Sequence, residues 1–153
     1  MRVAALQFQA LKGDLEESRA RLLELADRAA PDHDLLVLPE MAMTGYVFQC
    51  RDDVLALAES AKGPTFSLLS RVAAEHHCWL VCGFPERDGD DLFNSAMIID
   101  NTGALAFVYR KTLLYEADMH WAKVGDSGYP LLSCGDYNFT VGICMDLNDE
   151  AFI

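Results

Sequence analysis

Four consecutive apolar residues, Leu35-Leu36-Val37-Leu38, stop abruptly at Pro39 and Glu40. A strand sends successive side chains to opposite faces. An unbroken apolar run therefore needs cover on both faces, the situation of a strand inside a parallel sheet flanked by other layers. The neighbouring segments fit that demand. Residues 2–8 read as a first strand. Residues 14–30 read as a helix, with Asp14 as its cap, Glu17 in capping-box position, and Leu15, Leu22, Ala26 and Ala29 on one face. A helix is expected over 51–61, and another from Gly63, with Pro64 suited to its first turn. Residues 78–84 read as a buried strand. Residues 92–100 and 104–110 flank "NTG" as a hairpin, a polar and aromatic loop runs from 111 to about 129, and two short strands close the chain. Strands alternating with helices, plus one hairpin, predict an α/β fold with a mixed sheet, and the 153 residues suffice for one domain, 1–153.

Three polar residues stand directly after predicted strands: Glu40 after "LLVLP", Lys111 after "AFVYR" and Cys144 after "FTVGI". In open α/β sheets, sites form outside the carboxyl ends of strands. If these strands run parallel, the three side chains share one sheet edge. Singly, each has an ordinary reading: a turn-capping carboxylate, a surface lysine, a small buried thiol. Together they hold what amide cleavage requires. A cysteine supplies the nucleophile. A carboxylate takes the thiol proton and returns it to the leaving amine, and a fixed cation stabilises the oxyanion. This chemistry needs no metal or organic cofactor.

Composition narrows the partners. A net charge of −12 argues against nucleic acid, whose phosphates call for clustered Lys and Arg. No apolar run approaches the ~18 residues of a membrane helix, and no signal-like segment opens the chain. Five cysteines without a disulfide spacing fit a reducing compartment, so a cytoplasmic protein is expected. "HHCWLVC" (76–82) matches no zinc spacing, and Cys78 and Cys82 read as strand interior. Cys50 and Cys134 read as unpaired packing residues, and His120 as an exposed loop histidine.

"LPEMAMTGY", "YRKTLLYE" and "VGICMDLN" resemble the three motif regions of the nitrilase superfamily, the carbon–nitrogen hydrolases, in the family's order. "FNSAMIIDNTG", with Asn94, is similar to the family's hairpin. The resemblance implies a four-layer αββα sandwich with a mixed sheet. This chain covers its N-terminal half or slightly more, so the fold is expected to be incomplete at the C-terminus. It implies a Glu40–Lys111–Cys144 triad acting through a thioester, with the backbone N–H of Met145 assisting Lys111 at the oxyanion. It also implies a homo-oligomer, commonly a dimer. The family's second glutamate has two candidates here, Glu116 and Asp118. Either would orient Lys111 or bind a substrate ammonium. "GICMDLN" and "YEADMHWA" look more like the fungal-type N-terminal amidases, which act on the side-chain amide of an N-terminal Asn or Gln. The substrate expected is therefore a small amide or a peptide N-terminus, with Tyr46 and Trp121 as candidate pocket residues. Alternatives stay open: a nitrile or carbamoyl substrate, a non-catalytic fragment or assembly subunit that keeps the motifs, and a thiol or redox module using Cys144.

Overall fold

The computed structural model describes residues 1–153 other than Lys12 and Val47. Five strands form one sheet in the order β1 (Val3–Ala5), β2 (Leu35–Val37), β3 (Trp79–Asp88), β4 (Asp91–Ile99) and β5 (Leu105–Arg110). β1, β2 and β3 are mutually parallel, while β4 is antiparallel to both its neighbours. Two reversals restore direction, so β5 runs the same way as β2 and β3. The carboxyl ends of β2 and β5 therefore lie at one edge, which is what Glu40 and Lys111 require.

Helices α1 (Leu15–Ala29) and α3 (Pro64–His76) cover one face of the sheet. Asp14 caps α1 by accepting the Glu17 N–H at 3.0 Å. The expected reciprocal half of the capping box is replaced: the Glu17 carboxylate accepts from Arg21 at 2.8 Å instead. Ser18, Leu22 and Ala26 form the buried stripe of α1, and Leu22 and Ala26 pack in one cluster with Leu36, Leu80, Cys82 and Met97 of the sheet. The alternate residues Leu35, Val81, Ala96, Ile98 and Tyr109 point to the opposite face and pack with Val141 and Ile143. The unbroken apolar run of β2 thus has cover on both sides. Each such side chain contributes ~1.5–3 kcal/mol relative to exposure.

Several boundaries differ from the sequence reading. Helix α2 spans only Arg51–Leu55, not 51–61. Glu59 is drawn instead into a bridge with Glu86 of β3, and its carboxylate accepts from Thr65 and Arg19. β3 continues past Pro85 to Asp88 and turns through Gly89 and Asp90 into β4, a hairpin the sequence reading left unassigned. Gly89 takes the left-handed φ of +62° that this turn needs. The "NTG" hairpin forms as expected, with Asp100 Oδ1 accepting from Thr102 N–H, Thr102 Oγ1 and Ala104 N–H. Its β4–β5 ladder carries a bulge, because Ile98 pairs Phe107 while Ile99 pairs Leu105. A separate hairpin joins β6 (Leu132–Cys134) to β7 (Tyr137–Phe139).

The largest correction concerns Cys144. No strand leads into it: β7 ends at Phe139, and Cys144 opens a 3-10 turn, Cys144–Asn148. The apolar alternation of Val141 and Ile143 is satisfied against the face of the sheet, not in a hydrogen-bonded ladder. Among the described residues, no helix is long and apolar enough to cross a membrane.

Candidate active site

Glu40 leaves β2 on a backbone held tightly against β3. The Ala42 N–H donates to Gly83 O at 2.9 Å, and the Gly83 N–H donates to Pro39 O at 3.2 Å. A Cβ on Gly83 would lie 2.6 Å from both Glu40 Cα and Pro39 O, so this approach requires glycine. Met41, next along and buried, has a left-handed φ of +51°. A bulky side chain adopts that conformation rarely, and here it turns the chain sharply behind the carboxylate.

Lys111 follows β5 and is also fixed through its backbone. Its N–H donates to Asn94 O at 2.8 Å, and its carbonyl accepts the Gly125 N–H at 2.9 Å. The preceding Arg110 donates to both carboxylate oxygens of the buried Glu86 and covers the Phe93 ring. The Lys111 side chain is fully buried. Its Nζ lies 2.9 Å from Glu40 Oε1 and 2.7 Å from Asp118 Oδ2. Two residues 71 apart in sequence are thereby in direct contact. Burial alone would lower the lysine pKa, but the bonds and charges of Asp118 and Glu40 outweigh it and hold the pKa above its ordinary value. The side chain remains an ammonium.

Of the two loop acids, Asp118 contacts Lys111 and Glu116 does not. A 3-10 turn, Asp118–His120, carries the Asp118 side chain inward, where it is buried. Oδ2 accepts from Lys111 Nζ and, at 3.1 Å, from the Tyr115 N–H. Oδ1 accepts from Tyr46 OH at 3.0 Å and Asn94 Nδ2 at 3.2 Å. All four acceptor sites of the carboxylate are filled. Glu116 and His120 face solvent. Asn94 Nδ2 also donates to Glu40 Oε1 at 2.7 Å, so one buried amide links the two acids. Its Oδ1 is buried without a partner among the described residues. Tyr46 stands with its ring 5.9 Å from Lys111 Nζ. Burial first, and then Asp118, raises its hydroxyl pKa, so Tyr46 stays a donor.

Cys144 is exposed, has a left-handed φ of +49°, and lines a cavity of about 350 Å³. Glu40 lines the same cavity, with Val37, Val81 and Ala96 from the sheet. Glu40 thus contacts Lys111 on one side and shares this cavity with Cys144 on the other, while Lys111 itself does not line it. Met145 follows Cys144 at the start of the 3-10 turn, ahead of its first internal bond, from Asp146 N–H to Ile143 O. Trp121 lies elsewhere. It is buried with Met41, Val54 and Leu92 and meets Phe48 edge-on at 5.7 Å, so it packs in the core and does not line this cavity. Cys78 and Cys82 are buried, and burial pushes the Cys82 thiol up to about 12. Asp27, Glu75 and His76 bring ligand-type atoms within 4.8 Å of one another, but on the outer side of α1 and α3.

Sequence reading placed Glu40 and Lys111 by their strand ends and left Asp118 undecided, because a single 3-10 turn has no periodicity. It gave no role to Asp146, which is fully buried and accepts from the Ile143 N–H at 2.8 Å and from Thr112 and Leu113 N–H at 3.1 and 2.8 Å. The available signal was its N3 position in the turn, where an acid satisfies orphan N–H groups.

A protein N-terminal amidase of Saccharomyces cerevisiae is 30% identical to this chain, across all of the chain and 39% of the relative. A nitrilase of Pyrococcus abyssi is 33% identical over 95% of this chain and 56% of its own length. A crystal structure of an N-terminal amidase with an Asn-Glu-Ala peptide superposes with a TM-score of 0.84 at 26% identity, covering 95% of this chain and 40% of the other. The chain thus spans roughly half the length of these relatives, or less. The profile of the carbon-nitrogen hydrolase family matches residues 2–148, and the chain belongs to that family.

Proposed function

We propose that the protein hydrolyses a non-peptide C–N bond of an amide through Cys144, Glu40 and Lys111. The observation that carries this reading is the Lys111 Nζ–Glu40 Oε1 contact at 2.9 Å beside a cavity that Glu40 shares with Cys144. Glu40 Oε1 is occupied by Lys111 and Asn94, which leaves Oε2 to take the thiol proton. The sulfur attacks the amide carbonyl. The C–N bond then breaks, the leaving nitrogen takes the proton from Glu40, and a thioester remains. Water, deprotonated by the same carboxylate, attacks the thioester. The acid leaves and the thiol recovers its proton. Lys111 spends two N–H donors on Glu40 and Asp118, so the third is left for the oxyanion together with the Met145 N–H.

The substrate class we favour is the side-chain amide of an N-terminal Asn or Gln, by likeness to the N-terminal amidases. Such a substrate carries an α-ammonium. Asp118 has no acceptor site left for it, which leaves exposed Glu116 on the same loop as the candidate anion. The nitrilase likeness keeps a nitrile as the second reading.

Intact-mass analysis after mixing with Asn- and Gln-initiated peptides, small amides and a nitrile tests this. The expected result is amide-to-acid conversion of the peptides and an acyl adduct that disappears in Cys144→Ala, with turnover falling ~10⁴-fold or more. A folded wild-type chain whose Cys144 alkylates yet forms no acyl adduct would support the non-catalytic alternative. Thiol exchange indifferent to Glu40→Gln would support the redox one.

A further inference from the structure

We propose that Asp146 is a positioning residue that sets the placement of Cys144 relative to Lys111, an inference that rests on the hydrolase reading above. The nucleophile needs such a device. Among the described residues, no backbone–backbone hydrogen bond joins residues 140–148 to the five-stranded sheet. Cys144 itself is exposed and left-handed. Lys111, by contrast, is carried by β5.

One carboxylate spans the gap. Asp146 Oδ2 accepts the Ile143 N–H at 2.8 Å, one residue before the nucleophile, and the Tyr109 hydroxyl at 2.6 Å. Oδ1 accepts the Thr112 and Leu113 N–H groups at 3.1 and 2.8 Å, immediately after the lysine. Tyr129 OH approaches the same oxygen at 3.5 Å. Both oxygens therefore act only as acceptors, which an ionised carboxylate satisfies and an amide does not. In Asp146→Asn the volume is kept, yet an NH₂ group must face either Ile143 and Tyr109 or Thr112 and Leu113. One side of the clamp is then lost. Tyr109, buried between sheet and turn and stacked on Tyr129 at 5.6 Å, fixes the carboxylate from below.

Two measurements on the full chain test the clamp. Steady-state kinetics on an accepted amide, with active molecules counted by iodoacetamide labelling of Cys144, should show kcat falling ~100-fold in Asp146→Asn while KM stays within ~3-fold. Hydrogen exchange should accelerate at the Ile143, Thr112 and Leu113 amides. Tyr109→Phe removes one donor to Asp146, and with it the weaker acceptor of the Thr112 N–H, and should lower kcat ~5-fold without moving KM. An unchanged kcat per labelled molecule in Asp146→Asn overturns the proposal, as does unchanged exchange at those three amides. If Asp146→Asn does not fold, Tyr109→Phe decides by the same two readouts. A wild-type chain that turns over no amide defeats the hydrolase reading alone, and the exchange result still judges the clamp.

Discussion

The Lys111 centre and the Cys144 turn are built on opposite principles. Lys111, Asp118 and Asn94 are buried and joined by hydrogen bonds, and Asn94 and Lys111 are held by adjacent antiparallel strands. The cysteine sits outside the ladder, open to solvent, on a backbone that favours glycine. The difference separates two demands. An electrostatic centre works best when water is excluded and the charges are fixed before substrate arrives. The cysteine proposed as nucleophile must reach substrate, so it cannot be buried with them. Damage to the first region should therefore cost folding and chemistry together. Damage at Cys144 itself should cost chemistry and leave folding almost untouched.

The severest way to test this contrast is Lys111→Met. It strands the Glu40 and Asp118 carboxylates around an apolar side chain, and loss of one partner from a buried ion pair costs about 3–5 kcal/mol. Chemical denaturation should show that loss, while Cys144 stays alkylatable and acylation disappears. Normal acylation would remove the lysine from the mechanism. A pH series sharpens the point. The folded-state pKa of Lys111 lies above the ordinary 10.5, so the ammonium's stabilisation is fully present below pH 10.5 and is lost as pH rises through the folded value. The stability gap between wild type and Lys111→Met should stay level up to that pH and narrow beyond it.

A smaller effect is expected from Gly83→Ala. The added methyl meets the Glu40 and Pro39 backbone, and overpacking of this kind costs about 1–3 kcal/mol. Because the displaced atoms carry the carboxylate proposed as general base, kcat should fall with little change in KM; an unaltered kcat would show that Glu40 tolerates the shift. The smallest effect, of opposite sign, belongs to the other region. Cys144→Gly removes the left-handed penalty at φ +49°, and after the entropy cost of glycine should stabilise the inactive chain by about 0.5–1 kcal/mol relative to Cys144→Ala. Equal denaturation midpoints for the two variants would mean that the turn stores no strain.

What could be read from the sequence follows the same division. Leu35 to Leu38 announces a strand covered on both faces, and periodic patterns announce α1 and α3, because burial repeats at fixed intervals. Glu40 and Lys111 are legible as residues at the ends of such strands. Cys144 was picked out on a mistaken premise: the alternation of Val141 and Ile143 looked like a strand but reflects packing on a sheet face. The choice between Asp118 and Glu116 depended on one 3-10 turn, and Trp121 on a core contact with Phe48, neither of which leaves a repeating signal. Glu59 shortened a predicted helix by bonding Thr65 and Arg19, an outcome of distant neighbours that local propensity does not contain.

The irregularity in the β4–β5 ladder has a consequence for which cation the chain presents. Because Ile98 pairs Phe107 and Ile99 pairs Leu105, Ala106 is an extra residue, and every later position of β5 is displaced by one. Were Ala106 paired with Ile98 instead, with the "NTG" turn fixed, Arg110 would arrive opposite Asn94, where Lys111 now stands. A single supernumerary alanine, remote from the cavity, thus acts as a parity bit: it decides whether an ammonium or a guanidinium reads out at the working end of the strand.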